Sequence, residues 1–174
     1  MKNKIGNLIS WVIVSAILIG FDQYTKALAV AKLKGNEPFV IMDGVFEFLY
    51  SENRGAAFGL LQGRQGFFFL IGIAVLGAAA YMMFRMPGWK EHRYDWLKIC
   101  IIMITSGAVG NMIDRVTQGY VVDFLYFKLI NFPIFNVADI YVTVATFLLC
   151  VLFCFYYKDE DLEIFRLQGK GAGK

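Results

Sequence analysis

Between Ser106 and Asp139 the chain sets Asp114, Asp123 and Asp139, together with Asn111 and Asn136, beside long apolar runs: S-G-A-V-G-N-M-I-D-R, G-Y-V-V-D-F and F-N-V-A-D. A carboxylate beside hydrocarbon is costly to hold ionised, so acids placed there need partners or a task. Two carboxylates brought close cannot both ionise cheaply. One keeps a proton, and the pair can take a proton from water while polarising a carbonyl. That chemistry hydrolyses a peptide bond without a metal or a covalent intermediate. Asp123 and Asp139 are the preferred pair, because each interrupts an apolar run (V-V-D-F-L and V-A-D-I-Y) where a neutral acid is easiest to maintain. Asp139 is equally placed to sit at a helix N-terminus, where a carboxylate meets the helix dipole. Asp114, followed by Arg115, reads as half of a structural ion pair. Asp22 and Lys26, at i and i+4, read as a helix-surface pair or an anchor for neighbouring loops. Gly107 and Gly110 read as close-packing positions between helices.

Other chemistries find less support. The single histidine, His92, lies in a polar turn (86–95) remote from the acids, which argues against Ser-His-Asp or Cys-His catalysis and leaves it a solvated loop residue. Zinc-ligand spacings and glycine-rich phosphate loops are absent from the sequence. Ser106 and Lys26 form a Ser-Lys pair on paper only, since nothing brings them together. Cys100, Cys150 and Cys154 lie within apolar runs and form neither a disulfide framework nor a metal pattern. Cys150 and Cys154, one helical turn apart, read as small buried apolar residues. A net charge of +3 from scattered basic residues excludes a nucleic-acid patch.

The elements that must position the acids are membrane spans. Of the 174 residues, 58% are hydrophobic and only 18% charged, below the quarter or so usual in soluble domains. Uncharged runs predict four transmembrane helices at about 5–26, 65–84, 96–113 and 137–157, each long enough for a hydrocarbon core of roughly 30 Å. The first follows Lys2 and Lys4 like a signal peptide, yet it runs long and ends in D-Q-Y-T-K without a small-x-small cleavage site, so it reads as retained. A single domain (1–174) follows, with outer segments 27–64 and 114–136, a cytoplasmic loop 85–95 and a cytoplasmic tail 158–174. Ten basic residues flank one side and seven the other, which places both termini in the cytoplasm. On that topology Asp22, Asp114, Asp123 and Asp139 all reach the outer surface.

The outer segments carry β signals. Phe39–Met42, a D-G turn at 43–44 and Val45–Tyr50 predict a hairpin too apolar for open water and suited to the bilayer surface. Asn53 and two glycines follow in S-E-N-R-G-A-A-F-G (51–59), suited to close backbone approach. Gly119 to Phe127 is a second β-like run centred on Asp123. The fold class is therefore a mainly α membrane protein, four spans with a small β element at the outer surface. The tail after Lys158 is charged and ends in G-K-G-A-G-K, a composition that frays. From the residues alone, three readings stay open: an aspartyl membrane hydrolase, a small transporter using the acids as a proton relay, and a non-enzymatic subunit whose acids cap helices and pair with Arg115 and Lys26.

Five short motifs, in order, resemble those of the bacterial lipoprotein signal peptidases (signal peptidase II): D-Q-Y-T-K at 22–26, N-R-G-A-A-F at 53–58, G-N-M-I-D-R at 110–115, V-V-D-F at 121–124 and F-N-V-A-D at 135–139. The resemblance covers most of the chain. It implies a catalytic dyad at Asp123 and Asp139, and supporting roles for Asp22, Lys26, Asn53, Gly107, Asn111, Asp114, Arg115 and Asn136. It further implies an inner-membrane enzyme needing no metal or organic cofactor, and a monomer is the default expectation. Its substrates would be diacylglyceryl-modified prolipoproteins cut just before the lipidated cysteine, and its inhibitor globomycin. One departure is Phe132 before Pro133, where the family often has tryptophan; it touches packing, not chemistry.

Overall fold

The computed structural model describes residues 2–55 and 65–165. Among the described residues, four helices are long and apolar enough to cross a membrane: α1 (Lys2–Leu33), α2 (Gln65–Arg85), α3 (Asp95–Gln118) and α4 (Val137–Val151), the last prolonged by a π-helical turn over Leu152–Tyr156. Three strands, β1 (Phe39–Met42), β2 (Phe46–Asn53) and β3 (Val121–Phe127), form an antiparallel sheet in the order β1-β2-β3. A short helix, α5 (Asp159–Leu162), follows the last span. The motif residues 56–58, with Gly59, Arg64 and the G-K-G-A-G-K tail, lie outside the described residues.

Burial in the bundle is inverted relative to a water-soluble protein. Val12 and Ile17 on α1 are 63% and 65% exposed and Phe147 on α4 73%, while Asn7, Asp22 and Ser106 are wholly buried. Apolar residues facing outward along four long helices require a hydrocarbon surround, so this is a multi-pass membrane protein. α3 is the central element and packs on the other three long helices. A Cβ added at Gly107 would lie 2.5 Å from Ala138 O and 2.6 Å from Val142 Cγ2, so α3 and α4 approach at a distance only glycine permits. Toward the end remote from the sheet, Met83, Met86, Leu97, Cys100 and Ala145 fill the core. At the sheet end, Ala29 and Leu33 of α1 pack against Val122 and Phe124 of β3.

The predicted hairpin forms around Asp43 and Gly44, with Gly44 in the left-handed region at φ 68°, where glycine has no steric penalty. The 119–127 run becomes β3 and pairs with β2, placing Ser51 opposite Asp123 and Asn53 opposite Val121.

Several expectations are corrected. α1 continues past Lys26 to Leu33, because a charge ends a membrane span without ending a helix, and no glycine or proline interrupts 27–33. α3 runs to Gln118 and stops at Gly119 in the left-handed conformation (φ 81°), so Asp114 and Arg115 lie inside the helix, not after it. Cys150 and Cys154 are exposed on the outside of the bundle, and only Cys100 is buried; an apolar run does not tell a lipid-facing side from a protein-facing one. His92 is the exposed loop residue expected, its ring nitrogen 2.8 Å from Asp95.

Candidate active site

Four elements bring one carboxylate each to the sheet end of the bundle: Asp22 on α1, Asp114 on α3, Asp123 on β3 and Asp139 in the first turn of α4. All ten sequence-selected residues meet here, and the hydrogen bonds divide the four acids into two pairs.

The first pair is neutralised by a cation. Lys26 Nζ lies 2.9 Å from Asp22 Oδ2 and 3.0 Å from Asp114 Oδ2, with all three groups almost fully buried. The partner of Asp114 is thus Lys26 and not the adjacent Arg115, since consecutive side chains on a helix diverge. Each of these acids also accepts a backbone N–H from the residue preceding the other pair. Ala138 N donates to Asp22 Oδ1 at 2.9 Å, and Val122 N donates to Asp114 Oδ2 at 3.1 Å. The Asp22–Lys26–Asp114 triad therefore fixes the spacing between the start of α4 and strand β3. Gln23, which sequence reasoning passed over, completes it by donating to Asp114 Oδ1 (2.9 Å), Asp22 Oδ2 (3.2 Å) and Gly110 O (3.1 Å). The signal was its place inside D-Q-Y-T-K, between two buried ionic residues.

The second pair, Asp123 and Asp139, is held by neutral amides. Asp123 Oδ1 accepts from Asn136 Nδ2 at 2.6 Å and its Oδ2 from Asn53 Nδ2 at 3.0 Å. Asp139 Oδ1 accepts from Asn111 Nδ2 at 2.8 Å and its Oδ2 from the Asn136 backbone N–H at 3.2 Å. Asn136 is the N-cap of α4 and Asp139 its N3 residue, and each caps the other in a capping box, the N–H of Asp139 donating to Asn136 Oδ1 at 3.0 Å. The capping role and the placement in the cluster are thus the same geometry. Burial, with the nearby Asp139 charge adding to it, pushes the Asp123 carboxyl up to about 7, against the pull of the Asn53 and Asn136 hydrogen bonds.

Arg115 reaches over the Phe68 ring at 4.5 Å and donates to Gly55 O at 3.0 Å, tying the end of β2, and with it Asn53, to α3. Ser106 donates to Ile102 O at 2.6 Å, whereas Lys26 is engaged by the triad and Asn111, so no Ser-Lys pair forms. Asp123 and Asp139 open onto a cavity of ≈ 810 Å³ whose walls are mostly apolar, among them Phe69, Gly72, Gly107, Met112 and Val142. Among the described residues no cluster of three or more His, Cys, Asp or Glu side chains could hold a metal ion.

An amide-held carboxylate pair in an apolar pocket, at one end of a four-span bundle, agrees with a match along the sequence. The pattern defining signal peptidase (SPase) II fits residues 14–155. The chain belongs to the signal peptidase II family. A lipoprotein signal peptidase of Streptococcus thermophilus is 41% identical over 144 residues, covering 83% of this chain and 90% of the relative. One of Clostridioides difficile is 38% identical over 146 residues, covering 84% and 95%. Two solved bacterial membrane enzyme structures superpose with a TM-score of 0.71 each. One is 29% identical, covering 95% of this chain and 94% of that one, and the other 31% identical, covering 85% and 94%. Nothing in these likenesses supports a transporter.

Proposed function

We propose that this signal peptidase II is an aspartyl endopeptidase that removes the signal peptide from diacylglyceryl-modified prolipoproteins by cutting just before the lipidated cysteine, with Asp123 and Asp139 as its dyad. The observation that carries the reading is the division of the four acids. Asp22 and Asp114 are ion-paired with the Lys26 ammonium, while Asp123 and Asp139 receive only neutral donors and can share one proton.

The steps follow from that state. The ionised carboxylate takes a proton from a water molecule as its oxygen attacks the scissile carbonyl carbon, and the protonated carboxyl gives its proton to the carbonyl oxygen. On collapse, the C–N bond breaks as the first carboxyl protonates the leaving nitrogen, and the diol proton returns to the second. The pair ends as it began.

Topology suits a lipid-anchored substrate. With both termini in the cytoplasm, the site lies near the outer face of the cytoplasmic membrane, where acyl chains stay in the bilayer and the scissile bond meets the dyad. The apolar cavity suits the lipidated cysteine or a globomycin-type inhibitor, and the apolar β1–β2 hairpin clamps the substrate over it. One chain supplies every group of the site, so a monomer suffices. Supporting positions divide by contact: Asp22, Lys26 and Asp114 set the spacing, Asn53, Asn111 and Asn136 hold the carboxylates, Arg115 anchors the β2 end, and Gly107 lets α3 and α4 close up.

A gel-shift cleavage assay in detergent, with a diacylglyceryl-modified prolipoprotein as substrate, tests the reading. Cleavage by the wild-type chain and its loss in folded Asp123→Asn and Asp139→Asn supports it. Cleavage surviving both substitutions refutes the dyad, and none by folded wild type refutes the activity.

A further inference from the structure

The geometry points to Lys26 as a positioning residue that acts through Asn111 to hold Asp139 as the ionised member of the pair, leaving the proton on Asp123. This inference rests on the dyad reading above and assigns its two roles.

The orientation of the Asn111 amide is forced. An ammonium group only donates, so the atom 2.9 Å from Lys26 Nζ must be the amide oxygen, which also accepts from Asn136 Nδ2 at 3.1 Å. Nδ2 therefore faces Asp139 Oδ1, at 2.8 Å. A cation on the oxygen of an amide polarises its N–H groups, and a donor so strengthened favours an anionic acceptor. Asp139 also sits at the N3 position of α4, its second oxygen on the Asn136 N–H at the positive end of the helix. Asp123 has neither advantage. It lies on a strand, is 2% exposed, and accepts from two uncharged side-chain amides.

The groups facing the pair from the packed elements are Asp22 and Lys26 on α1, Asp114 and Arg115 on α3, and Asp123 on β3. Of the two cations, Arg115 acts through space on all three acids, most on Asp139, and Lys26 acts through space on both Asp123 and Asp139; Asp139 alone is joined to Lys26 through a single bridging amide. Asp139 then takes the water proton and delivers it to the leaving nitrogen, while Asp123 protonates the carbonyl oxygen and recovers its proton from the diol.

The test is kcat/KM against pH on a diacylglyceryl-modified prolipoprotein, whose acid limb reports ionisation of the base in the free enzyme. Two variants cut the chain at different links. Asn111→Leu leaves the ion triad intact. Asp22→Asn with Lys26→Met and Asp114→Asn removes the cation together with both counter-ions, so that no buried carboxylate of the triad is stranded. Both should move the acid limb up by about one pH unit, a roughly tenfold loss below it, and combining them should add no further displacement. A uniform loss with the acid limb unmoved, or displacements that add, overturns the inference. Should the triple variant not fold, Asn111→Leu alone decides by the same acid limb. Asp123→Asn and Asp139→Asn run alongside: turnover retained in these refutes the dyad itself, whereas turnover lost in them with an unmoved limb in Asn111→Leu refutes only the relay.

Discussion

Replacing Asp123 by asparagine separates two effects of its carboxyl. In the folded chain burial pushes this group from the ordinary 3.8 up to about 7, so between those values the folded state binds a proton that the unfolded chain has released. Stability contributed by the protonated form is therefore full below about pH 4 and falls as pH rises to about 7. At about 1.4 kcal/mol for each tenfold change in the proton equilibrium, the loss across the window approaches about 4 kcal/mol. Asparagine removes that slope. Its amide can keep Oδ1 toward Asn136 Nδ2 and turn its NH2 toward Asn53, at a local cost of about 1 to 3 kcal/mol for the mismatched donors. The variant should thus be no more stable than wild type at pH 4, and as stable or more so at pH 8, while turnover falls by about 10²- to 10⁴-fold. Thermal unfolding in detergent at both pH values, alongside the cleavage assay, checks this. Parallel stability curves for variant and wild type, or turnover that survives, would refute the reasoning.

Three further outcomes follow from particular contacts. Gly107→Ala drives a methyl group against the Ala138 carbonyl and Val142, forcing α3 from α4; a loss of about 1 to 3 kcal/mol in unfolding free energy and a drop in kcat are expected, and unchanged values of both would contradict the close approach. Lys26→Met alone strands the Asp22 and Asp114 carboxylates in the interior and should cost about 3 to 5 kcal/mol; an increment below about 1 kcal/mol would show the triad to be marginal. Phe39, Val40, Ile41 and Met42 are each at least half exposed on β1, so replacing them with serine should raise KM for a lipidated prolipoprotein with little change in melting temperature. An unchanged KM removes the hairpin from substrate binding.

What the sequence made legible was local. Uncharged runs located the four spans, the D-G pair located the hairpin turn, and acids interrupting apolar runs located Asp123 and Asp139. Partnerships across the chain were not legible. β3 reads as extended from its own residues, but nothing in V-V-D-F says that β2 will be its neighbour, and that pairing is what sets Asn53 against Asp123. Asp114 finds Lys26 across 88 positions of sequence, because α1 and α3 lie side by side. Hydropathy marked Cys150 and Cys154 as lying in apolar surroundings without distinguishing lipid from protein, and it marked the end of a membrane span at Lys26 where the helix itself runs on to Leu33.

The placement of Lys26 explains how four acids coexist at the sheet end of the bundle. Had Lys26 met Asp123 or Asp139 directly, the strong ion pair would have fixed that carboxylate as an anion and left the triad acids uncompensated. Positioned on Asp22 and Asp114, it neutralises two charges whose oxygens hold the backbone just ahead of Asp139 and Asp123. Beyond its through-space pull on both carboxyls of the proposed dyad, it is joined to Asp139 by one neutral amide, Asn111, which on the inference above biases which carboxyl ionises. Spacing and, on the inference above, protonation state thereby depend on the same cation along separate routes, one through backbone amides and one through a side-chain amide. That separation is why a substitution confined to Asn111 can disturb the second while leaving the first intact.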